Sequence, residues 1–139
     1  MAKQHHHVRL VNKIGEFSEG EFLYDEEEDD EACCLTFRCS HGEFKANAAD
    51  YFEAMCIIRG ELQKIGLFPI CNGASLNVFP SGMGRDMGRG LMAYRLEIGR
   101  HATRQDMLFI FGCAAALQPV GVEEQAAFYQ EWLRSIRSL

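Results

Sequence analysis

No apolar run in this chain of 139 residues approaches the roughly 20 that a membrane-spanning helix needs, and no cationic region followed by a long apolar core opens it. We therefore expect a soluble protein that stays in the cytoplasm. An excess of positive charge is missing too: 14 basic residues stand against 20 acidic ones, a formal charge of −6. That balance argues against broad binding to nucleic acid or to an anionic membrane surface. Paired C-x-x-C spacing is absent, and one strand would hold Cys33 and Cys39 about 20 Å apart at roughly 3.3 Å per residue, so no structural zinc site is expected. With no export signal, the six cysteines (Cys33, Cys34, Cys39, Cys56, Cys71 and Cys113) read as reduced core thiols rather than a disulfide framework. Neither an internal repeat nor a domain linker is visible.

What is present suggests a single α+β domain over residues 32–139, preceded by a weakly structured acidic segment over 1–31. His5, His6 and His7 read as a disordered terminus or the remnant of a tag. Val8 to Val11 and Glu21 to Tyr24 have too little pattern to assign. From Asp25 to Glu31 every residue is acidic, which suggests a solvated loop. Cys33, Leu35, Phe37 and Cys39 then alternate with polar or half-polar neighbours at the two-residue period of a strand, and Ser40–Gly42 turns into a second strand over Glu43–Ala46.

Asn47 reads as the N-cap of a helix, with Asp50 in its first turn, and Tyr51, Met55, Ile58, Leu62 and Ile65 draw one apolar stripe that Gly66 ends. Leu67–Cys71 and Ala74–Phe79 read as strands of a hairpin turned at Asn72-Gly73, the first kept to an edge by Pro69. Tyr94, Leu96 and Ile98 alternate as in another strand. The unbroken apolar run Met107–Phe111 reads as a central strand covered on both faces. After Gly121 a last helix carries Val122, Ala126, Tyr129, Leu133 and Ile136 on one side, with Glu123 and Glu124 in its first turn and Arg134 and Arg137 in its last. The expected fold is a mainly antiparallel sheet of about five to six strands with two helices on one face.

One segment looks shaped for contact rather than folding. From Pro80 to Gly90 the chain carries Gly82, Gly84, Gly88 and Gly90, with Arg85 and Arg89 between them. Exposed N–H groups and two guanidinium forks make Ser81, Gly82, Gly84, Arg85, Gly88, Arg89 and Gly90 a candidate anion- or ligand-binding set. The segment has no lysine and is followed by a strand pattern, which excludes the Walker and dinucleotide loops. A plainer reading makes it a tight crossover, with Met83 and Met87 plugging the core edge and Asp86 pairing one arginine.

No catalytic signature stands beside it. Cys39 with His41 could form a thiolate pair, but a turn histidine and a core thiol explain them more simply. No metal or cofactor is called for, and no catalytic residue can be assigned. The expectation is a small acidic binding or regulatory protein whose partner is another protein, contacted through Asp25, Glu26, Glu27, Glu28, Asp29, Asp30 and Glu31. Immunity-type inhibitors of toxins share its size and charge, by analogy only. The alternative is a small enzyme or ligand-binding domain holding an anionic metabolite at 80–90, with Tyr94, His101 or Asp86 moving a proton.

Overall fold

Alternation begins earlier than the letters suggest. The computed structural model describes residues 3–25 and 32–139. Five strands, β1 (Lys3–Asn12), β2 (Phe17–Asp25), β3 (Cys33–Cys39), β4 (Gly42–Ala48) and β5 (Leu67–Ile70), form an antiparallel sheet in the order β4-β3-β2-β1-β5. The weakly structured start inferred from sequence is therefore corrected, since β1 pairs β2 over nine positions from Lys3↔Asp25 to Val11↔Phe17. The histidines are part of this ladder. His5 and His7 face outward onto Glu21 and Glu19 at 2.5 and 2.7 Å, while His6 turns inward and stacks on Phe111 with ring centroids 4.9 Å apart. Once His6 counts as an inward residue, His6, Val8 and Leu10 show the period of two.

Inside the sheet, Phe22, Phe37, Leu10 and Leu35 are buried beneath helix α1 (Tyr51–Lys64). The α1 stripe buries Tyr51, Met55, Ile58 and Leu62 as expected, each contributing roughly 1.5–3 kcal/mol. Ile65 instead lies at the C-cap and is 48 % exposed. The helix also starts later than its sequence suggests. Asn47 still pairs with Cys34 in the ladder, so Asp50 is the N-cap, its carboxylate accepting from Glu53 N–H at 2.8 Å. Close approach sets one further residue. A Cβ on Gly20 would fall 2.3 Å from Phe37 Cζ, so the Phe37 ring can cross β2 only over glycine.

A second antiparallel sheet is built from β6 (Val78–Phe79), β7 (Met92–Arg95) and β8 (Met107–Phe109), in the order β6-β7-β8. Two expectations fail here for one reason. Asn72-Gly73 is not a hairpin turn but a buried single turn of 3₁₀-helix, because other strand ends hold it. Asn72 N–H donates to Gly112 O, Gly73 N–H to Ile110 O, and the Asn72 amide to Phe109 O. The run Met107–Phe111 is not a central strand: β8 lies at an edge, and Ile110 and Phe111 are buried because they pack against the inner face of the larger sheet. Pro69 does lie on an edge strand, as expected.

Helix α3 (Val122–Ile136) begins after Gly121, as read, with Val122, Tyr129, Leu133 and Ile136 of the expected stripe half-buried. Gln125 and Trp132 are its buried residues, whereas Ala126 is exposed. Gln125 meets Arg59 of α1 in a buried polar node. Arg59 Nη1 donates to Gln125 Oε1 (2.6 Å) and Gly73 O (3.2 Å), and Nη2 donates to Val120 O (2.9 Å). Gln125 Nε2 donates to the carbonyls of Gly73, Ser75 and Val78. This node joins α1, α3 and the chain between the two sheets.

All six cysteines are unpaired, with Cys33 and Cys71 buried and Cys113 exposed. Burial pushes the Cys71 thiol up from 9.0 to about 12. Only the thiolate reacts, so at pH 8 in native protein an alkylating reagent should modify Cys113 first and leave Cys71 untouched until unfolding. The same shift fixes a sign for stability. Between pH 9 and about 12 the unfolded thiol has lost its proton and the native one has not, so Cys71 destabilises the fold progressively as pH rises through that window. Peptide mapping by mass spectrometry reads the first effect; native labelling of Cys71 matching that of Cys113 would contradict it.

Candidate functional site

The segment singled out by its glycines is built around a helix. Gly82–Met87 form α2, capped at the start by Ser81, whose Oγ accepts from Gly84 N–H at 2.9 Å. Gly88 N–H and Gly90 N–H both return to Gly84 O, so several of the N–H groups expected to face a ligand are used internally. The chain then turns through Arg89 (φ 56) and Gly90 (φ 72), and a Cβ on Gly90 would lie 2.6 Å from Asp50 Oδ1. Glycine is needed there for both reasons.

Asp50 explains where Arg85 goes. Its Oδ1 caps α1, and its Oδ2 accepts from Arg85 Nε at 2.9 Å, with the Asp50 side chain only 6 % exposed. Asp86, the partner suggested by sequence, is exposed and the ion pair is made with Asp50 instead. Arg89 lies over the Tyr51 ring at 5.4 Å and donates toward the Cys33 thiol. Burial pushes that thiol up from its ordinary value, and the Arg89 charge offsets part of the rise. Both guanidinium groups thus face the start of α1. Met83 and Met87 do not plug the core: they are 72 % and 80 % exposed.

Two apolar hollows flank Ser81 and Tyr94. On one side, Met83, Met87, Met92 and Met107 surround a groove of about 310 Å³. On the other is a cleft of about 530 Å³ with an aromatic wall, in which Phe79 and Tyr129 stack at 4.0 Å and Trp132 follows at 6.0 Å from Tyr129. Its rim includes the stretch His101–Arg104. That rim is tied down: Trp132 Nε1 donates to Arg100 O at 2.9 Å, Gly99 N–H to Ser135 Oγ, and Arg100 pairs with Glu97 and Asp106. The hydrogen bond from Arg100 holds the Asp106 carboxyl below its ordinary range.

Of the seven loop residues marked from sequence, Ser81 and Gly82 line the cleft, and Gly84 and Gly88 join Ser81 along the methionine groove. Arg85, Arg89 and Gly90 are turned to α1. Tyr94 and His101 share the cleft, without Asp86. Phe79, Arg104, Tyr129 and Trp132 were not marked, since they lie far apart in the chain and no local spacing joins them. His41 contacts the Ser40 hydroxyl, and among the described residues no three His, Cys, Asp or Glu side chains are placed to hold a metal.

Of the acidic run, Asp25 ends β2, while Glu26 to Glu31 lie outside the described residues. Cys33 at the start of β3 touches Ala49 O and Arg89, so this end of β3 lies where α1 begins and segment 80–90 packs. These six residues also account for the whole formal charge of −6, leaving 14 acidic and 14 basic residues elsewhere. Among the described residues, no helix is long and apolar enough to cross a membrane. Compared with known proteins, the chain matches no protein-family model and no curated protein.

Proposed function

We propose that this protein is a non-catalytic, cytoplasmic binding protein for another protein with a basic contact surface, as immunity-type inhibitors are. The supporting observation is an exposed methionine face built on segment 80–90 and the strands after it. Met83 and Met87 expose most of their surface and share a groove with Met92 and Met107. Unbranched thioether side chains can repack onto a partner, and they supply apolar contact where a lone charged loop would supply only attraction. Residues 26–31 carry the excess charge that steers a basic partner to this end of the molecule.

The two contributions separate in kinetics. With a partner captured by the immobilised chain and then purified, Met83→Asp with Met87→Asp should weaken affinity at least about tenfold, mainly through faster dissociation. Replacing 26–31 by Ser and Gly should slow association about tenfold or more at low ionic strength, with the difference shrinking as salt is added. Affinity unmoved by the methionine changes would remove the contact surface, and an unmoved association rate would remove the steering. The ligand-binding alternative at 80–90 is favoured by the presence of Ser81, Gly82, Tyr94 and His101 in the lining of the cleft.

A further inference from the structure

The aromatic cleft has a chemistry of its own. Its volume of about 530 Å³ lies within the range of small-molecule sites. One wall is the Phe79, Tyr129 and Trp132 array, a flat apolar surface suited to a planar ring. Arg104 and His101, both exposed, line the same cleft, as do Ser81 and Tyr94.

Charge decides the polarity of the occupant. Among the described residues no carboxylate lines the cleft, although acidic residues outnumber basic ones in the chain. Glu97 and Asp106, which flank the rim segment in sequence, are both engaged by Arg100. Among the described residues Arg104 makes no ion pair, in contrast to Arg85 and Arg100. A guanidinium left available beside an aromatic wall is complementary to an anionic group on a ring. The cleft is also held ready: the Trp132 indole N–H, Ser135 and the Arg100–Asp106 pair fix the rim to α3 and to itself, so little ordering remains for a ligand to impose.

We propose that this cleft binds a small ligand made of a planar aromatic ring bearing one anionic group, carboxylate or phosphate, with the ring on the Phe79–Tyr129–Trp132 wall and the anion at Arg104 and His101. The site is separate from the methionine face and stands or falls independently of it. It also moves anion recognition away from Arg85 and Arg89, which are committed to α1.

Trp132 is the chain's one tryptophan, so its emission reports directly on this cleft. Titration of the full chain, excited at the red edge of indole absorption, would use phenylacetate and adenosine monophosphate as probes, with adenosine and inorganic phosphate as controls. A saturable change is expected with at least one anionic aromatic probe. A response to phenylacetate alone names carboxylate as the anion, and one to the nucleotide alone names phosphate. Arg104→Ala should weaken that binding at least tenfold, while Arg38→Ala on the far face of the sheet should leave it unchanged. Arg104 is exposed, so its loss should not disturb folding, which the far-UV spectrum checks. The proposal is overturned by no saturable response to either probe at millimolar concentration, by equal binding in Arg104→Ala, or by adenosine or inorganic phosphate alone binding as tightly as the combined ligand.

Discussion

Replacing Arg59 by alanine should lower the unfolding free energy by about 3–5 kcal/mol, as much as truncating a buried aromatic side chain of the core. Arg59 is 2 % exposed, and no carboxylate is among its hydrogen-bond partners. Desolvation pulls its pKa below the ordinary arginine value, yet a guanidinium stays charged in folded proteins. Its Nε finds no partner among the described residues. The charge is therefore balanced there by dipoles, those of the Gly73 and Val120 carbonyls, the Gln125 amide and the Cys56 sulfur.

Truncation would strand Gln125 Oε1 and the Val120 carbonyl, while Gly73 O keeps the Gln125 amide, and would leave a void between α1 and α3, two costs that add. Arg59→Met retains much of the volume and separates them, with an expected loss nearer 2 kcal/mol from the unpaired acceptors alone. Against a typical stability of about 5–15 kcal/mol, the alanine variant would melt roughly 10 °C lower or more. Urea denaturation of both variants measures the difference. A loss below about 1 kcal/mol for Arg59→Ala would mean that water enters and replaces the node.

Asp50→Ala should lower stability by about 2–3 kcal/mol, because one carboxylate serves two elements. Loss of the cap on Glu53 N–H costs about 1 kcal/mol. The bond to Arg85 adds a similar amount, reduced from a fully buried value because the Arg85 side chain is 31 % exposed. Asp50→Asn keeps an oxygen for the cap and gives up the charge, so it should lose only about half as much. The pair also has a local consequence. Without Asp50, segment 82–90 loses its tie to α1, and its amides should exchange with solvent faster while those of β2 and β3 stay protected. Equal stability losses in the two variants would show that the cap contributes nothing, and unchanged exchange at 82–90 would show that Arg85 does not hold the segment.

How much was legible depended on whether the signal was local. The strand Cys33–Cys39 and the helices after Asp50 and Gly121 follow from apolar periodicity, because each buries one face against a broad surface that any residue of the right type can fill. Boundaries were less legible where two local signals competed. Asn47 and Asp50 are both good caps, and ladder pairing to Cys34 decided for the second. Asn72-Gly73 is a strong hairpin dipeptide, overridden by carbonyls of residues 109–112 that no local window contains. No apolar stripe announces the burial of Gln125 in α3, because Arg59, which makes that burial favourable, is remote in the chain. His6 was read with its neighbours as a disordered terminus or tag remnant, and the Phe111 ring on which it stacks is equally remote.

By itself, then, the sequence determined an acidic α+β chain with its charge excess in one short run, two long helices, a hairpin after that run, and a glycine-rich stretch beside two arginines. Those properties belong to neighbouring residues, and chain-local physics is enough to establish them. Tertiary structure alone decided which polar groups are buried together, where the sheet divides, and that Arg85 and Arg89 serve α1. It also assembled the cleft, whose wall and rim come from positions 79, 94, 101, 104, 129 and 132. Contacts between residues so distant exist only once the core has brought their elements together, so no spacing along the chain can announce them.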